Sequence, residues 1–185
     1  MPLDYSQKRT VEPASRPITL QSVKDHLRVS DNDDDGQIID YIDVAIERLE
    51  TDTRRALVTQ TWERKYDCWP CFPLALDRPP LQSVSSIQYV DTAGATQTLA
   101  TSNYTVDTAR DPGVIHLTSS ATLPTLDDEP NVVTIEWVAG YGTESNVPAR
   151  AKHAIRLLLS SIYDGCELEA AYNQIASQLS WGFYP

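Results

Sequence analysis

Apolar residues recur at helical spacing near both ends of the chain and alternate in the stretch between. From about Asp35 to Arg55, the residues Ile38, Ile39, Ile42, Ala45, Ile46 and Leu49 repeat at a helical period, with Glu47, Arg48, Glu50, Asp52 and Arg54 at the complementary positions. This pattern predicts a long amphipathic helix with one face for a core and one for water or a neighbouring subunit. A shorter helix is predicted to start at Thr19, a good N-cap, with Leu20, Val23 and Leu27 on one face. Towards the C-terminus, ARAKHAIRLLLSSIY places Ala151, Ala154, Ile155, Leu158, Leu159 and Ile162 on one face. Ser145 and Asn146 can cap that helix, Pro148 suits its first turn and Gly165 ends it. LEAAYNQIASQL then predicts a last, shorter amphipathic helix.

Between these segments the period changes. TQTWERKYDCW alternates in part like a strand, and PLQSVSSIQYVDTAGATQTL reads as two strands joined by a turn at Asp91 to Gly94. SNYTVD, GVIHLT and NVVTIEWVAGY continue the strand signals, with proline and glycine between them as in short antiparallel strands. The expected fold class is therefore α+β: two long packed helices plus shorter helices, with a small antiparallel β lobe inserted between them. The expected division is a single domain over residues 18–180, helical over 18–57 and 146–180 and β-rich over 58–142. A flexible arm at residues 1–17, polar and with three prolines, would precede it, and a tail at 181–185 would follow.

Composition narrows the class of protein. With 185 residues, 41% of them hydrophobic and 22% charged, the chain suits one ordinary soluble domain with a core. No run approaches the roughly 20 apolar residues of a membrane span. The N-terminal stretch has no apolar signal core, so synthesis in the cytosol is expected. A net charge of -11 argues against a protein that grips nucleic-acid phosphates, because that affinity needs clustered Lys and Arg. It is compatible with an acidic wall beside which DNA passes.

Three candidate chemistries can be weighed from the residues. DNDDDGQIIDYI, residues 31–42, opens like a calcium loop, with Asp31, Asp33 and Asp35 at alternate positions followed by Gly36. Its twelfth position, where a bidentate Glu belongs, is Ile42, on the apolar stripe of the long helix. An acidic turn at a helix start, where carboxylates favour the positive end of the dipole, is the better reading. CWPC at Cys68–Cys71 has the redox spacing, but Phe72-Pro73 follows at once and no helix can start there to lower a thiol pKa. Loop cysteines packed with Trp69 and Phe72 are expected. A zinc site would need Cys166 with His116 or His153, at no ligand spacing. His26, His116 and His153 lie in no nucleophile, phosphate-loop or metalloprotease context, so no enzyme and no cofactor are expected. The competing readings are a small acidic calcium- or ligand-binding module and a C-x-x-C redox protein.

The order of the motifs adds a family. ITLQSVKDHLRV, an acidic turn and DGQIIDYIDVAIERLETDTRRALVTQTW resemble the opening of the head–tail connector proteins of tailed bacteriophages, in the gp6-like and phiE125 gp8-like branch. Glu50, Thr53, Arg55, Ala56 and Leu57 match the family's helix-ending run. DRPPLQSVSSIQYVDTAGATQTLATSNYTVD is similar to its proline-led hairpin, and VVTIEWVAGYGTESNVPARAKHAIRLLLSSIYD to its strand-to-helix junction. The resemblance covers roughly residues 18–164. It implies a structural virion protein at the head–tail interface, assembled in the bacterial host cytoplasm. It further implies a homo-oligomeric ring, typically of twelve subunits, below the portal protein. Such a ring continues the DNA channel towards a tail-side stopper or terminator, and double-stranded DNA passes without specific binding. In that setting Asp33, Asp34, Asp35 and Glu47 are candidates to face the channel. Trp181, Phe183 and Tyr184 are candidates to dock on a partner, since aromatics on a short segment are common interface anchors.

Overall fold

The computed structural model describes residues 5–165 and 167–180. The described residues form four α-helices and two antiparallel sheets, of five and three strands, so the fold is α+β. The chain divides into two compact units, one of Met1–Glu12 with Gln60–Gly140 and one of Pro13–Thr59 with Tyr141–Pro185. The expectation from the sequence was one domain with an insert at 58–142.

The first unit is built of strands. The larger sheet has the order β1 (Tyr5–Val11), β2 (Gln60–Tyr66), β8 (Val133–Ala139), β4 (Leu81–Val90) and β5 (Thr96–Thr98). The smaller runs β3 (Leu74–Ala75), β7 (Val114–Leu117) and β6 (Tyr104–Asp107). Strand β8 is central and shows the period of two clearly: Val133, Ile135, Trp137 and Ala139 are buried while the residues between them are half-buried. Its ladder with β2 sets Trp62 opposite Trp137 and Arg64 opposite Ile135. Trp137 is fully buried, and its Nε1–H donates to the Asp77 carbonyl at 3.1 Å, which satisfies the one polar atom of a large apolar side chain.

Strand β1 corrects the expectation of a loose arm. Residues 5–11 pair antiparallel with β2, from Tyr5↔Tyr66 to Val11↔Thr61, with an irregularity between Arg9 and Val11. Six of its seven residues are exposed, so no hydrophobic period marks it in the sequence. Besides the ladder it is tied by Arg9, which donates to Gln60 Oε1 at 3.1 Å, by the Lys8–Glu63 ion pair, and by Arg64, which is only 4% exposed. The Arg64 guanidinium donates to Gln7 Oε1 at 3.0 Å and to the Tyr66 hydroxyl at 3.2 Å, forms an ion pair with Asp77, and lies 4.3 Å from the centre of the Tyr5 ring. A buried cation needs this number of partners to offset its lost hydration.

The second unit is helical, with α1 (Leu20–Leu27), α2 (Asp35–Thr53), α3 (Ala149–Asp164) and α4 (Glu169–Leu179). Thr19 caps α1 as expected, its Oγ1 accepting from the Ser22 N–H at 3.2 Å. Arg28 closes α1 in the left-handed region at φ 60°, and the Val29 N–H returns to the Lys24 carbonyl at 3.0 Å. The stripe of α2 buries Ile38, Ile42, Ala45 and Leu49 in a core shared with Ala151, Ala154, Ile155, Leu158 and Leu159 of α3 and with Tyr172 of α4. Each such Ile or Leu contributes roughly 1.5–3 kcal/mol by leaving water.

Three details depart from the expected pattern. Glu50, assigned to the polar face of α2, is 7% exposed and accepts from the Leu57 N–H at 2.8 Å, tying down the chain that leaves the helix. Ile162 is 40% exposed although its spacing puts it with the core residues of α3. Ser145 and Asn146 do not cap α3; their side chains bond each other and Thr143 within a short 3-10 turn, Glu144–Asn146. Immediately before that turn, Gly142 adopts φ 110°, and a Cβ placed there would meet Asn146 Nδ2 at 3.1 Å. The Gly142 carbonyl accepts from the Thr59 N–H at 2.9 Å, so this bend also anchors the segment after α2.

Candidate interaction surfaces

The acidic turn between α1 and α2 has its own internal partners. Lys24, buried to 4% exposure, sends its ammonium to Asn32 Oδ1 at 2.7 Å and to Asp35 Oδ1 at 2.6 Å. Asp34 holds the N-cap position of α2 without a side-chain cap bond; its Oδ2 accepts from the Tyr163 hydroxyl at 2.9 Å. That bond to a carboxylate holds the Tyr163 phenol above its ordinary pKa. Asp31 Oδ1 accepts from the Asp33 N–H at 3.3 Å, while Asp33 itself is exposed. Two of the would-be calcium ligands are thus engaged by a lysine and by the backbone. Among the described residues, no group of three or more His, Cys, Asp or Glu is arranged to hold a metal ion.

Glu47 lies elsewhere, on the exposed side of α2, with Asp40, Asp43 and Val44. Asp43 forms a bidentate pair with Arg16, at 2.6 Å from Nε and 2.8 Å from the second guanidinium nitrogen, and that bond lowers the Asp43 pKa. Further along, Arg48 pairs with Glu169 of α4 and with Asp52, and stands 5.1 Å from the Tyr172 ring centre. Tyr172 donates to Asp52 Oδ2 at 2.6 Å; burial first, then this bond, raises its pKa. Arg48, Asp52 and Glu169 line an open pocket of about 710 Å3 between α2 and α4, together with Asn173, Ala176, Ser177 and Ser180. Its charged groups pair with one another.

The cysteines at the C-x-x-C are not packed as expected. Cys68 and Cys71 are free and exposed, whereas Trp69 between them is half-buried, donates to the Pro124 carbonyl at 2.9 Å and leans on Tyr89 at 5.6 Å. The aromatic ring fixes this loop and turns the thiols outward. The histidines lie apart in the chain: His26 on α1 is within 3.0 Å of the Ser160 hydroxyl, His116 is on β7 and His153 is exposed on α3. Trp181, Phe183 and Tyr184 lie outside the described residues. No helix is long and apolar enough to cross a membrane among the residues described.

The fold has solved relatives. A chain in the virion of a native gene transfer agent (GTA) particle superposes with a TM-score of 0.80 at 18% identity over 97% of each chain. Chains from the neck of the native particle, computed with C12 symmetry, and of the empty particle, computed with C6 symmetry, give 0.77 and 0.76 at 20% identity, again over 97% of each chain. At these identities the likeness establishes the class: an α+β fold shared with these GTA chains. The family model described as phage gp6-like head-tail connector protein matches residues 17–105, from α1 to the start of β6. A comparison with curated protein sequences finds no match.

Proposed function

We propose that the protein is a structural head–tail connector, forming a ring of twelve subunits below a portal protein, extending the DNA channel and joining head to tail in a virion. The observation that carries this reading is a family match over α1 to β5 combined with a fold likeness that runs the whole chain, to chains of a GTA neck. The C12 and C6 symmetries of those necks support a multi-subunit ring. The mechanism is assembly rather than turnover, carried out in the bacterial host cytoplasm. Its partners are the portal on one side, a stopper or tail terminator on the other, and DNA that passes without being held.

Within the ring, the net charge of -11 per subunit keeps passing phosphate from adhering. Asp33, exposed at the acidic turn, is the carboxylate assigned to the channel wall; Asp34 and Asp35 add charge there while bonded to Tyr163 and Lys24. Trp181, Phe183 and Tyr184 are assigned to docking on the portal. Deleting residues 180–185 is then expected to leave a folded chain that no longer joins the portal, and unchanged co-assembly would remove that assignment. The decisive experiment is electron microscopy of the purified chain mixed with its portal. Twelve-fold rings stacked on the portal are expected; a chain that stays monomeric beside the portal overturns the proposal. The calcium-module alternative has its own measurement, since calorimetry with calcium should show no tight site at residues 31–42.

A further inference from the structure

Residues 181–185 read WGFYP and follow Ser180 directly. They place three aromatic rings, Trp181, Phe183 and Tyr184, within four positions and carry no charged side chain. Rings so close together need cover in water, since each has roughly 150–250 Å2 of surface to bury. Ser180 leaves α4 in an extended conformation, φ -62° and ψ 133°, and itself lines the pocket between α2 and α4. Glu169, Asn173, Ala176, Ser177 and Ser180 recur every three or four residues, so the pocket is a groove along α4, about 16 Å long at 1.5 Å per residue. Five extended residues reach about 17 Å, and Gly182 lets them turn back along the helix. The lining suits them as well. Asp52 and Glu169 offer carboxylate acceptors to an indole N–H and a phenol O–H. Arg48, its side chain 44% exposed, lies 5.1 Å from the centre of the Tyr172 ring, and a planar guanidinium can stack a second ring on its opposite face. Because Arg48 already pairs with both carboxylates, a charged occupant has to break those pairs, whereas residues 181–185 leave them intact.

From the length of the segment, the point where it begins and the lining of the groove, we infer that residues 181–185 fold back into the groove between α2 and α4 of the same chain before a portal is met. Trp181 enters beside Ser177 with its N–H towards Asp52, and Phe183 and Tyr184 lie towards Arg48 and Glu169 at the far end. The same rings cannot serve the groove and the portal at once, so joining the portal draws the tail out. The inference deepens the portal assignment of these residues, and it rests on that assignment for the release but not for the docking. A stored tail keeps free chains from clustering through their aromatics and exposes them only where a portal competes for them.

Limited chymotrypsin digestion of the full chain, read by the mass lost from its C-terminal end, tests the docking without any portal. Cleavage after Trp181 and Phe183 follows the fraction of chains whose tail is out of the groove. Ser177→Arg fills the groove from an exposed helix position and should speed that cleavage about tenfold, with circular dichroism and melting temperature as in the wild type. Arg48→Gln removes the stacking surface by a second route and should speed it too. Equal rates in the wild type and both variants would overturn the inference. Protection that rises with protein concentration would also overturn it, by giving the groove to the tail of a second copy. The portal assignment fails separately, if deleting residues 180–185 leaves joining to the portal unchanged.

Discussion

At the scale of single residues, the acidic turn shows how a motif is redefined by its partner. Asp35 begins what resembles a cation loop, yet its oxygen is occupied by the buried ammonium of Lys24. Removing it by Asp35→Ala leaves Lys24 with Asn32 and a lost charge partner, and should cost about 2 kcal/mol in urea unfolding. A change within about 0.5 kcal/mol would mean that the pair is solvated like an ordinary surface bridge. Asp91 makes a second, pH-dependent case. Gln97 Nε2 at 2.9 Å and the Ala93 and Ala95 N–H groups, each at 3.0 Å, all donate to its carboxylate, and these bonds lower its pKa. A depressed carboxylate contributes stability above its unfolded value, about 3.9, and loses it as the pH falls through the lower folded value. An NMR titration of Asp91 should therefore have its midpoint below the ordinary range, and Gln97→Ala should move it upwards. The turn at Asp91–Gly94 was legible because its residues bond locally. Lys24 was not, because its partner lies across a turn and a lysine stem hides its burial in any pattern of polar and apolar letters.

At the scale of elements, legibility follows how much of an element's hold comes from its own apolar stripe. Helices α1 to α4 and strand β8 bury such stripes, and the sequence shows them at the period each element demands. Strand β1 has no such stripe and is held by its ladder and by side-chain contacts to β2, the most buried of them made by Arg64. Replacing that fork by a single ammonium in Arg64→Lys cannot serve Gln7, Tyr66 and Asp77 together. Amide exchange in residues 5–11 should then quicken about tenfold while β8 stays protected; unchanged protection would mean that the ladder and the Arg9 and Lys8 contacts hold the strand without Arg64. The bend before α3 belongs to the same scale. Gly142→Ala forces a side chain into φ 110° and against Asn146, and a loss of about 1–3 kcal/mol is expected in thermal or urea unfolding. The sequence displays that glycine in AGYG but not the reason for it, which is the bond from Thr59 that the bend must receive.

At the scale of the whole molecule, the order of weak motifs carried more than any one of them. Each segment, from the capped α1 to the Asp91 hairpin, is common physical chemistry, while their succession over residues 17–105 matches a family model. The grouping of segments into two compact units was less legible, because residues 5–11 and Gln60–Gly140 come together by strand pairing that no local pattern encodes. The charge of the whole chain then makes a prediction that separates a channel wall from a DNA-binding surface. A protein that neutralises phosphates releases counterions, so its grip on duplex DNA strengthens steeply as salt is lowered. An acidic chain is repelled instead, and lowering the salt lengthens the reach of that repulsion. Gel retardation of duplex DNA should therefore stay absent from about 200 mM down to about 50 mM salt. Retardation that emerges at the low end would instead mark a phosphate-binding surface.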